Sequence, residues 1–273
     1  MKVKRLIGLA MLLSPLAMCA QVANGTPRLI KMEGAVNFRD IGGYKTTDGK
    51  EVVTDKIFRS ADISHLTDAD MQTMADKHIR TVIDFRGTKE AAAAPDRLLP
   101  ETDYILCPAG SDNLPSAKDM AVMLKDKDFL LNMYGMPSIQ YYGERYKPLF
   151  QRLLALPAGE ALLYHCTGGR DRTGMGTALV LYTLGVPMET IEADFVASNI
   201  YLKPINKKMF QPMAEASGLT EQEIEERMKL RPELMRSFFK ALTDKYGSVE
   251  QFMETELGIG PKERTLLKQK FTR

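Results

Sequence analysis

Short apolar runs, separated by turn residues such as Gly42-Gly43 and Asp48-Gly49, characterise the first part of the chain. Runs of this length, with alternating or compact apolar patterns, predict β-strands. The predicted strands are residues 36–41, 57–60, 81–85, 104–107 and 161–165. The last of them is apolar almost throughout, which is typical of a strand buried on both faces of a sheet.

Apolar residues at helical spacing fill most of the remaining chain. Residues 67–77 predict a helix with a threonine N-cap and acidic residues in its first turn. Residues 117–133 and 138–154 predict a helix pair, because Gly135-Met136-Pro137 prevents one continuous helix. Later in the chain, a Pro/Lys-rich segment at 203–208 is predicted as a joint between helices. The further predicted helices are residues 173–184, 188–201, 221–229, 232–246, 249–255 and 261–271.

The order of these elements predicts the fold class. Strands alternate with helices in the first half, and the second half is helical. This order is typical of an α/β fold with a central, mainly parallel sheet flanked by helices and a helical C-terminal half. The chain contains no repeat, no low-complexity tract and no Gly/Ser linker, so residues 21–273 are predicted to form a single domain.

The longest apolar run lies at the N-terminus and indicates export. Lys2, Lys4 and Arg5 precede an apolar stretch at residues 6–17, which is too short to span a bilayer. Small residues suited to cleavage follow it. We interpret residues 1–20 as a signal peptide, which predicts a periplasmic or secreted protein without a stable membrane span.

Composition and charge narrow the choice of partners. Hydrophobic residues make up 44% of the chain and charged residues 26%, which is typical of a globular protein. Removal of the signal would lower the formal net charge by three, from +2 to −1, and no Lys/Arg-rich run is present, so nucleic acid is not expected as a partner. Cys19 offers lipid anchoring as an alternative to cleavage, although bulky Met18 stands where a small residue is preferred.

The segment after the last predicted strand carries the strongest chemical signal. Strand 161–165 leads into a loop from Cys166 to Arg172, and a predicted helix follows at Thr173. Successive backbone N–H groups and a helix N-terminus in such a loop form a binding site for an anion, and the planar guanidinium of Arg172 suits phosphate oxygens. The loop residues predicted to bind phosphate are Thr167, Gly168, Gly169, Arg170, Asp171 and Arg172.

The same positive field favours a thiolate at Cys166, which can attack phosphorus as a nucleophile. His165 is predicted to orient the loop by hydrogen bonding to backbone, and Thr173 to donate its hydroxyl group to the sulfur. A buried, inert cysteine followed by a glycine turn is the alternative. The strand–loop–helix context and the arginine six positions after the cysteine favour the phosphate site.

Residues 165–173 are similar to the His-Cys-x5-Arg-Ser/Thr signature of protein tyrosine phosphatases. Arg170 and Asp171 resemble the basic and acidic loop residues of the atypical bacterial group, which acts on phosphotyrosine, phosphoserine/threonine and phosphoinositides. Further segments that resemble this family are 37–44, 57–60, 81–86, 184–186, 194–199 and 246–248. The resemblance covers nearly all of the chain after residue 20. It implies the phosphatase fold, a phosphocysteine intermediate, a phosphorylated protein or phosphoinositide substrate and a helix pair over the active site.

Two departures from the family patterns affect the interpretation. Arg170 replaces the usual lysine, which predicts a second guanidinium able to hold an additional phosphate. The chain has no tryptophan and therefore no Trp-Pro-Asp acid loop. The general acid is then Asp84 at a strand end, Asp171 in the loop, or another carboxylate such as Asp40. Alternatively, Asp84 pairs with a neighbouring arginine.

Other residues leave several alternatives open. No cofactor or metal is expected, because His65 and His78 are not in a metal-ligand spacing. Cys107 either forms a reversible disulfide with Cys166 or is buried and inert. The apolar face of residues 120–133 is either core or lid. Alternative functions are an inositol-polyphosphate phosphatase, which usually lacks an acid at Asp171, and a catalytically silent phosphate-binding module.

Overall fold

The computed structural model describes residues 28–113 and 115–273 of the chain. The signal peptide predicted at residues 1–20, including Cys19, lies outside the described residues. Among the residues described, no helix is long and apolar enough to cross a membrane.

A five-stranded sheet forms the centre of the protein, in the order β1-β2-β5-β3-β4. The strands are β1 (Arg39–Asp40), β2 (Ile57–Ser60), β3 (Ile79–Asp84), β4 (Asp103–Leu106) and β5 (Ala161–His165). Strands β2, β5, β3 and β4 are parallel, and β1 pairs antiparallel with β2. β5 is buried along its whole length, as its apolar sequence predicts. The predicted α/β class with a mainly parallel sheet is confirmed.

The predicted first strand is much shorter in the structure than the sequence indicates. The sequence predicts a strand over residues 36–41, whereas β1 contains two residues, Arg39–Asp40. Asn37 adopts a left-handed backbone conformation with φ 59°, which interrupts an extended strand. Its side chain instead reaches the loop that follows β5.

Helices surround the sheet and form most of the second half of the chain. The described helices are α1 (Asp68–Asp76), α2 (Thr88–Ala93), α3 (Ala117–Met123), α4 (Phe129–Met133), α5 (Tyr142–Ala155), α6 (Asp171–Leu184), α7 (Met188–Tyr201), α8 (Lys203–Ser217), α9 (Glu221–Met228), α10 (Pro232–Tyr246), α11 (Val249–Phe252) and α12 (Pro261–Phe271). A 3-10 turn at Met136–Tyr141 precedes α5, and a π turn at Met253–Leu257 follows α11. The helical C-terminal half is therefore confirmed.

Two helix predictions need correction. The helix predicted at 117–133 is divided into α3 and α4 by a polar turn, in which the Asp126 carboxylate accepts a hydrogen bond from the Asp128 N–H at 2.9 Å. The joint predicted at 203–208 belongs to α8. Its proline lies in the first helical turn, where the missing N–H group would have had no intrahelical partner.

Within the described part of the chain, two main apolar clusters pack on the sheet, and a third lies apart from them. The third cluster joins α3, α8 and α9 through Ala121, Leu124, Phe210, Met213, Ile224 and Met228. We call α3, α8 and α9 the helical cap. The apolar face predicted in residues 120–133 is therefore divided: Met120, Leu124 and Phe129 pack in this third cluster, whereas Leu130 and Met133 pack in the main cluster on the sheet. Arg227 ties the cap together by donating a hydrogen bond to the Leu124 carbonyl oxygen at 2.5 Å.

Candidate active site

The predicted phosphate loop lies at the carboxyl edge of the sheet, where open α/β sheets bind their ligands. The register brings Ser60, Asp84 and His165 side by side at the ends of β2, β3 and β5. Residues 166–170 leave this edge, and helix α6 begins at Asp171. The strand–loop–helix context predicted from the sequence is present.

The backbone of the loop turns its carbonyl groups outward. The carbonyl oxygens of Thr167, Gly168 and Gly169 accept hydrogen bonds from groups outside the loop. In a trans peptide the following N–H group points the opposite way, so the N–H groups of residues 168–170 face the inside of the loop. Gly169 has φ +58°, and a Cβ atom there would lie 2.3 Å from the Ser60 carbonyl oxygen. Only glycine fits this position.

Cys166 lies at the base of this loop with 3% of its surface exposed. Thr173, in the first turn of α6, is fully buried, and its hydroxyl group has no protein hydrogen-bond partner among the described residues. This environment is compatible with the predicted donation to the sulfur, which stays a prediction. His165 is also buried, with Nδ1 at 3.4 Å from the Cys166 carbonyl oxygen and Nε2 at 2.9 Å from an Asp96 carboxylate oxygen.

Arg172 is held by a carboxylate that the sequence analysis missed. Its two terminal nitrogens donate to the two oxygens of Glu90 at 2.6 and 3.0 Å, and one of them also donates to the Phe85 carbonyl oxygen at 3.1 Å. Glu90 further accepts hydrogen bonds from the Thr167 hydroxyl group and the Gly87 N–H. None of these contacts uses Nε of Arg172, so that edge of the guanidinium stays available for a phosphate oxygen.

The surroundings of Glu90 also change its ionisation. Burial raises the pKa of Glu90, but hydrogen bonding and charge from Arg172 outweigh it and lower the pKa to about 2. Glu90 is the third residue of α2, and the same carboxylate caps that helix. The only sequence signal for the role of Glu90 is an acidic residue at the third position of a short helix. Such a residue normally indicates a helix cap alone.

Arg170 and Asp171 form a pair beside the loop. Arg170 Nε and one terminal nitrogen donate to the Asp171 carboxylate at 3.0 and 3.2 Å, and the other terminal nitrogen donates to the Met228 carbonyl oxygen at 3.1 Å. Arg170 is 5% exposed. The structure therefore shows Arg170 paired with a nearby carboxylate and with the helical cap, in place of the free guanidinium predicted for an additional phosphate.

Asp171 remains partly accessible, with 31% of its side chain exposed. The Tyr134 hydroxyl group donates to it at 2.5 Å. Burial raises the pKa of Asp171, but the charge and hydrogen bonds of Arg170 and the Tyr134 hydrogen bond outweigh it, so the pKa lies below its usual value. Asp171 is thus a partly exposed carboxylate at the start of α6, next to the phosphate loop.

Asp84 is also paired with an arginine, but it is less accessible than Asp171 and therefore suits the role of general acid less well. It is fully buried, and its carboxylate accepts two hydrogen bonds from Arg86 Nε and one from a terminal nitrogen, at 2.8–3.0 Å. Burial raises its pKa, but the charges of His165 and Arg86 outweigh it and lower the pKa. The pairing with Arg86 left open by the sequence is therefore the arrangement observed. Asp40 is likewise occupied, since it accepts from the N–H groups of Gly42 and Asp55.

Asp84, Asp96 and His165 lie close enough together to resemble a metal-ligand set. One terminal nitrogen of Arg86, however, lies 2.8 Å from a carboxylate oxygen of each aspartate. A guanidinium between the two carboxylates supplies the positive charge that a metal ion would bring. The geometry therefore fits a buried ion-pair cluster behind His165.

The predicted disulfide between Cys107 and Cys166 does not fit the sheet. Leu106 and His165, the residues before the two cysteines, both pair with Asp84 of the intervening strand β3. Two strand spacings place the cysteines roughly 10 Å apart, beyond the reach of a disulfide. Both thiols are free and buried, and burial together with the Asp84 charge raises the pKa of Cys107 to about 12. The structure therefore agrees with a buried Cys107 and not with the disulfide.

An apolar cavity of about 470 Å³ opens beside the loop. Asp171 and Arg172 contribute charged groups to its lining, and α3 and α4 contribute much of the apolar wall. The apolar lining includes Met120, Met123, Phe129, Met133, Tyr134, Tyr141 and Met175. The cavity is therefore a largely apolar space that reaches the loop at Asp171 and Arg172.

Comparison with known proteins agrees with this geometry. Residues 30–273 match the model of the tyrosine phosphatase family. A Cupriavidus necator protein named as a tyrosine-protein phosphatase is 25% identical over 229 residues, 82% of each chain. The tyrosine-protein phosphatase of Nostoc commune is 34% identical over 56% of this chain and 51% of its own. The triple specificity protein phosphatase PtpB of Mycobacterium tuberculosis is 29% identical over 62% of this chain and 68% of its own.

The family match covers the sheet, the loop that carries Cys166 and Arg172, and the helical half of the chain. It confirms the resemblance read from the sequence motifs. The chain therefore belongs to the tyrosine phosphatase family and is a hydrolase of phosphoric monoesters.

Proposed function

We propose that this phosphatase hydrolyses phosphotyrosine esters through a phosphocysteine intermediate. The observation that carries the proposal is Cys166 at the base of a loop with inward N–H groups, with Arg172 held by Glu90 at its rim. A phosphate in this loop would lie against the sulfur and be neutralised by the N–H groups and Arg172. The apolar cavity beside it fits the aromatic ring of a tyrosine leaving group.

The reaction has two steps. The Cys166 thiolate attacks phosphorus, the P–O bond to the leaving group breaks, and protonated Asp171 gives its proton to the departing oxygen. In the second step a water molecule attacks the phosphocysteine, Asp171 takes a proton from that water, and the sulfur leaves as a thiolate. The Thr173 hydroxyl group stabilises the departing sulfur. Phosphate is released, and Cys166 and Asp171 return to their starting states.

The decisive experiment uses Cys166→Ser. The variant should lose turnover of a phosphotyrosyl peptide in the presence of a metal chelator and still bind tungstate, because the N–H groups and Arg172 remain. Rapid acid quenching of wild-type enzyme with a labelled substrate should trap phosphate on Cys166. Turnover by Cys166→Ser similar to wild type would exclude the mechanism. A catalytically silent binding module would show tungstate binding without turnover in the wild type.

Phosphoserine and phosphoinositide esters are the second candidate substrates, since the relative PtpB is named a triple specificity phosphatase. Two observations favour phosphotyrosine over inositol polyphosphates. The cavity wall is apolar, and the Arg170 guanidinium is already paired. Comparison of kcat/KM for a phosphotyrosyl peptide, a phosphoseryl peptide, a phosphoinositide and inositol hexakisphosphate tests this order.

We also propose that the protein acts after export, on the basis of the basic and apolar pattern of residues 1–20. Cell fractionation of the full chain and mass determination of its mature N-terminus test the cleavage. A mature protein that retains residues 1–20 in the cytoplasm would exclude it.

A further inference from the structure

A buried ion cluster lies directly behind the phosphate loop. Asp194 of α7 accepts hydrogen bonds from Arg39 at 3.0 Å, from Arg59 at 2.7 Å and from the Tyr44 hydroxyl group at 3.0 Å. Asp194, Arg39 and Arg59 each have 2% or less of the side chain exposed. Two guanidinium groups thus share one carboxylate, which leaves a net positive charge beside the loop.

The cluster contacts the loop at one peptide group. The Gly169 carbonyl oxygen accepts one hydrogen bond from Arg59 at 2.7 Å and another from the Asn37 side-chain amide at 2.8 Å. The same amide lies 3.3 Å from the Gly168 carbonyl oxygen. Arg39 in turn donates to the side-chain oxygen of Asn37, which orients the amide nitrogen toward the loop.

These contacts determine which way the loop peptides face. Carbonyl and N–H groups of a trans peptide point in opposite directions, so an outward Gly169 oxygen directs the Arg170 N–H inward. Gly169 is a glycine with φ +58°, and glycine resists rotation of its neighbouring peptides less than any other residue. If the peptide turned over, a carbonyl dipole would face the bound phosphate in place of an N–H group.

We propose that Arg59 and Asn37 are positioning residues that hold the Gly168 and Gly169 carbonyl groups outward, so that the next N–H groups stabilise both the phosphate and the Cys166 thiolate. The positive charge of Arg59 also polarises the Gly169–Arg170 peptide in the direction that favours an anion. This inference rests on the proposed function, because it assigns the residues a role in binding phosphate at that same loop.

Arg59→Lys and Asn37→Gly test the proposal, and Tyr44→Phe is the matched control. Lysine keeps the charge of Arg59 and lacks the planar group that reaches the Gly169 oxygen. Glycine accommodates the left-handed backbone of Asn37 and removes its amide. Tyr44→Phe removes a hydrogen bond to Asp194 and has no contact with the loop carbonyl groups.

Three measurements are needed for each variant: tungstate inhibition, the pH dependence of Cys166 alkylation by iodoacetamide, and the melting temperature. In Arg59→Lys and Asn37→Gly, tungstate should bind roughly tenfold to a hundredfold more weakly, the range for a lost hydrogen bond to a charged group. Alkylation should shift to higher pH, since the thiolate loses the same N–H groups. Tyr44→Phe should lower only the melting temperature.

The proposal is wrong if Arg59→Lys and Asn37→Gly melt earlier but retain wild-type tungstate binding and alkylation profiles. If Arg59→Lys does not fold, the measurements on Asn37→Gly alone decide whether the proposal is correct. If the proposed function itself is wrong, the result is different: the wild-type enzyme does not hydrolyse phosphate esters. Even then, protection of Cys166 from alkylation by tungstate still reports on the loop.

Discussion

Asp171 and Asp84 are both aspartates near the loop and both pair with an arginine, yet they differ in burial. Asp171 has about a third of its side chain exposed and lines the cavity, whereas Asp84 is buried and paired with Arg86. Asp171→Asn should lower kcat for phenyl phosphate by roughly a hundredfold or more and affect an activated aryl phosphate much less, because only the poor leaving group needs a proton. Steady-state kinetics with the two esters measure the difference.

Asp84→Asn is the control for this comparison. It should mainly destabilise the protein, by about 3 kcal/mol, since it breaks a buried ion pair and leaves Arg86 with less compensation. Urea unfolding measures that loss. A larger leaving-group effect in Asp84→Asn than in Asp171→Asn would assign the general acid to Asp84 instead.

The proposed role of Asp171 also predicts a pH dependence. Because Asp171 has a lowered pKa and must be protonated to act as general acid, kcat/KM should be highest below neutral pH.

Glu90 should make the stability of the protein depend on pH. Its pKa falls from an ordinary 4.5 to about 2 in the folded protein, so the folded state favours the ionised form. The contribution is present above pH 4.5 and is lost as the pH falls toward 2. Glu90→Gln should therefore unfold at lower urea than wild type at pH 7, with a difference that shrinks at pH 3. A difference independent of pH would show that the Arg172 pair does not stabilise the fold.

At the scale of elements, local sequence predicted most of the sheet and the phosphate loop, since apolar runs and Gly-rich turns act over a few residues. Predictions failed where distant contacts decide the outcome. Asn37 leaves the predicted strand because its amide binds the carbonyl of Gly169, which is 132 positions away. The role of Glu90 depends on Arg172, 82 positions later. Segment 203–208 is an exception, since the prediction of a joint failed for a local reason: its proline lies in the first turn of α8, where the helix tolerates it.

The helical cap should open more easily than the central sheet, because its core is a separate small cluster. Phe210 is 5% exposed within that cluster. Phe210→Ala should destabilise the cap by about 3–5 kcal/mol, the usual cost of removing a buried aromatic side chain. Hydrogen exchange should then accelerate in α3, α8 and α9 and stay slow in β3 and β5. Equal acceleration throughout would mean that the cap and the sheet unfold together.

At the scale of the whole molecule, the fold assembles the site from segments far apart in sequence. Asn37, Arg59, Glu90 and Asp194 all lie in different elements or loops, and each contacts the loop or its supporting cluster. No fragment with only some of these elements would hold the loop in its observed conformation. Tungstate binding at the loop should therefore disappear at the same denaturant concentration as the structure of the sheet.

The separation of the two cysteines by β3 affects how the enzyme recovers after oxidation of Cys166. Sulfenic acid at Cys166 would have no protein thiol within reach among the described residues, because Cys107 lies on the far side of that strand. Repair then depends on small thiols diffusing to a sulfur that is 3% exposed. Once oxidised, each molecule would recover only as fast as its surroundings supply a reductant.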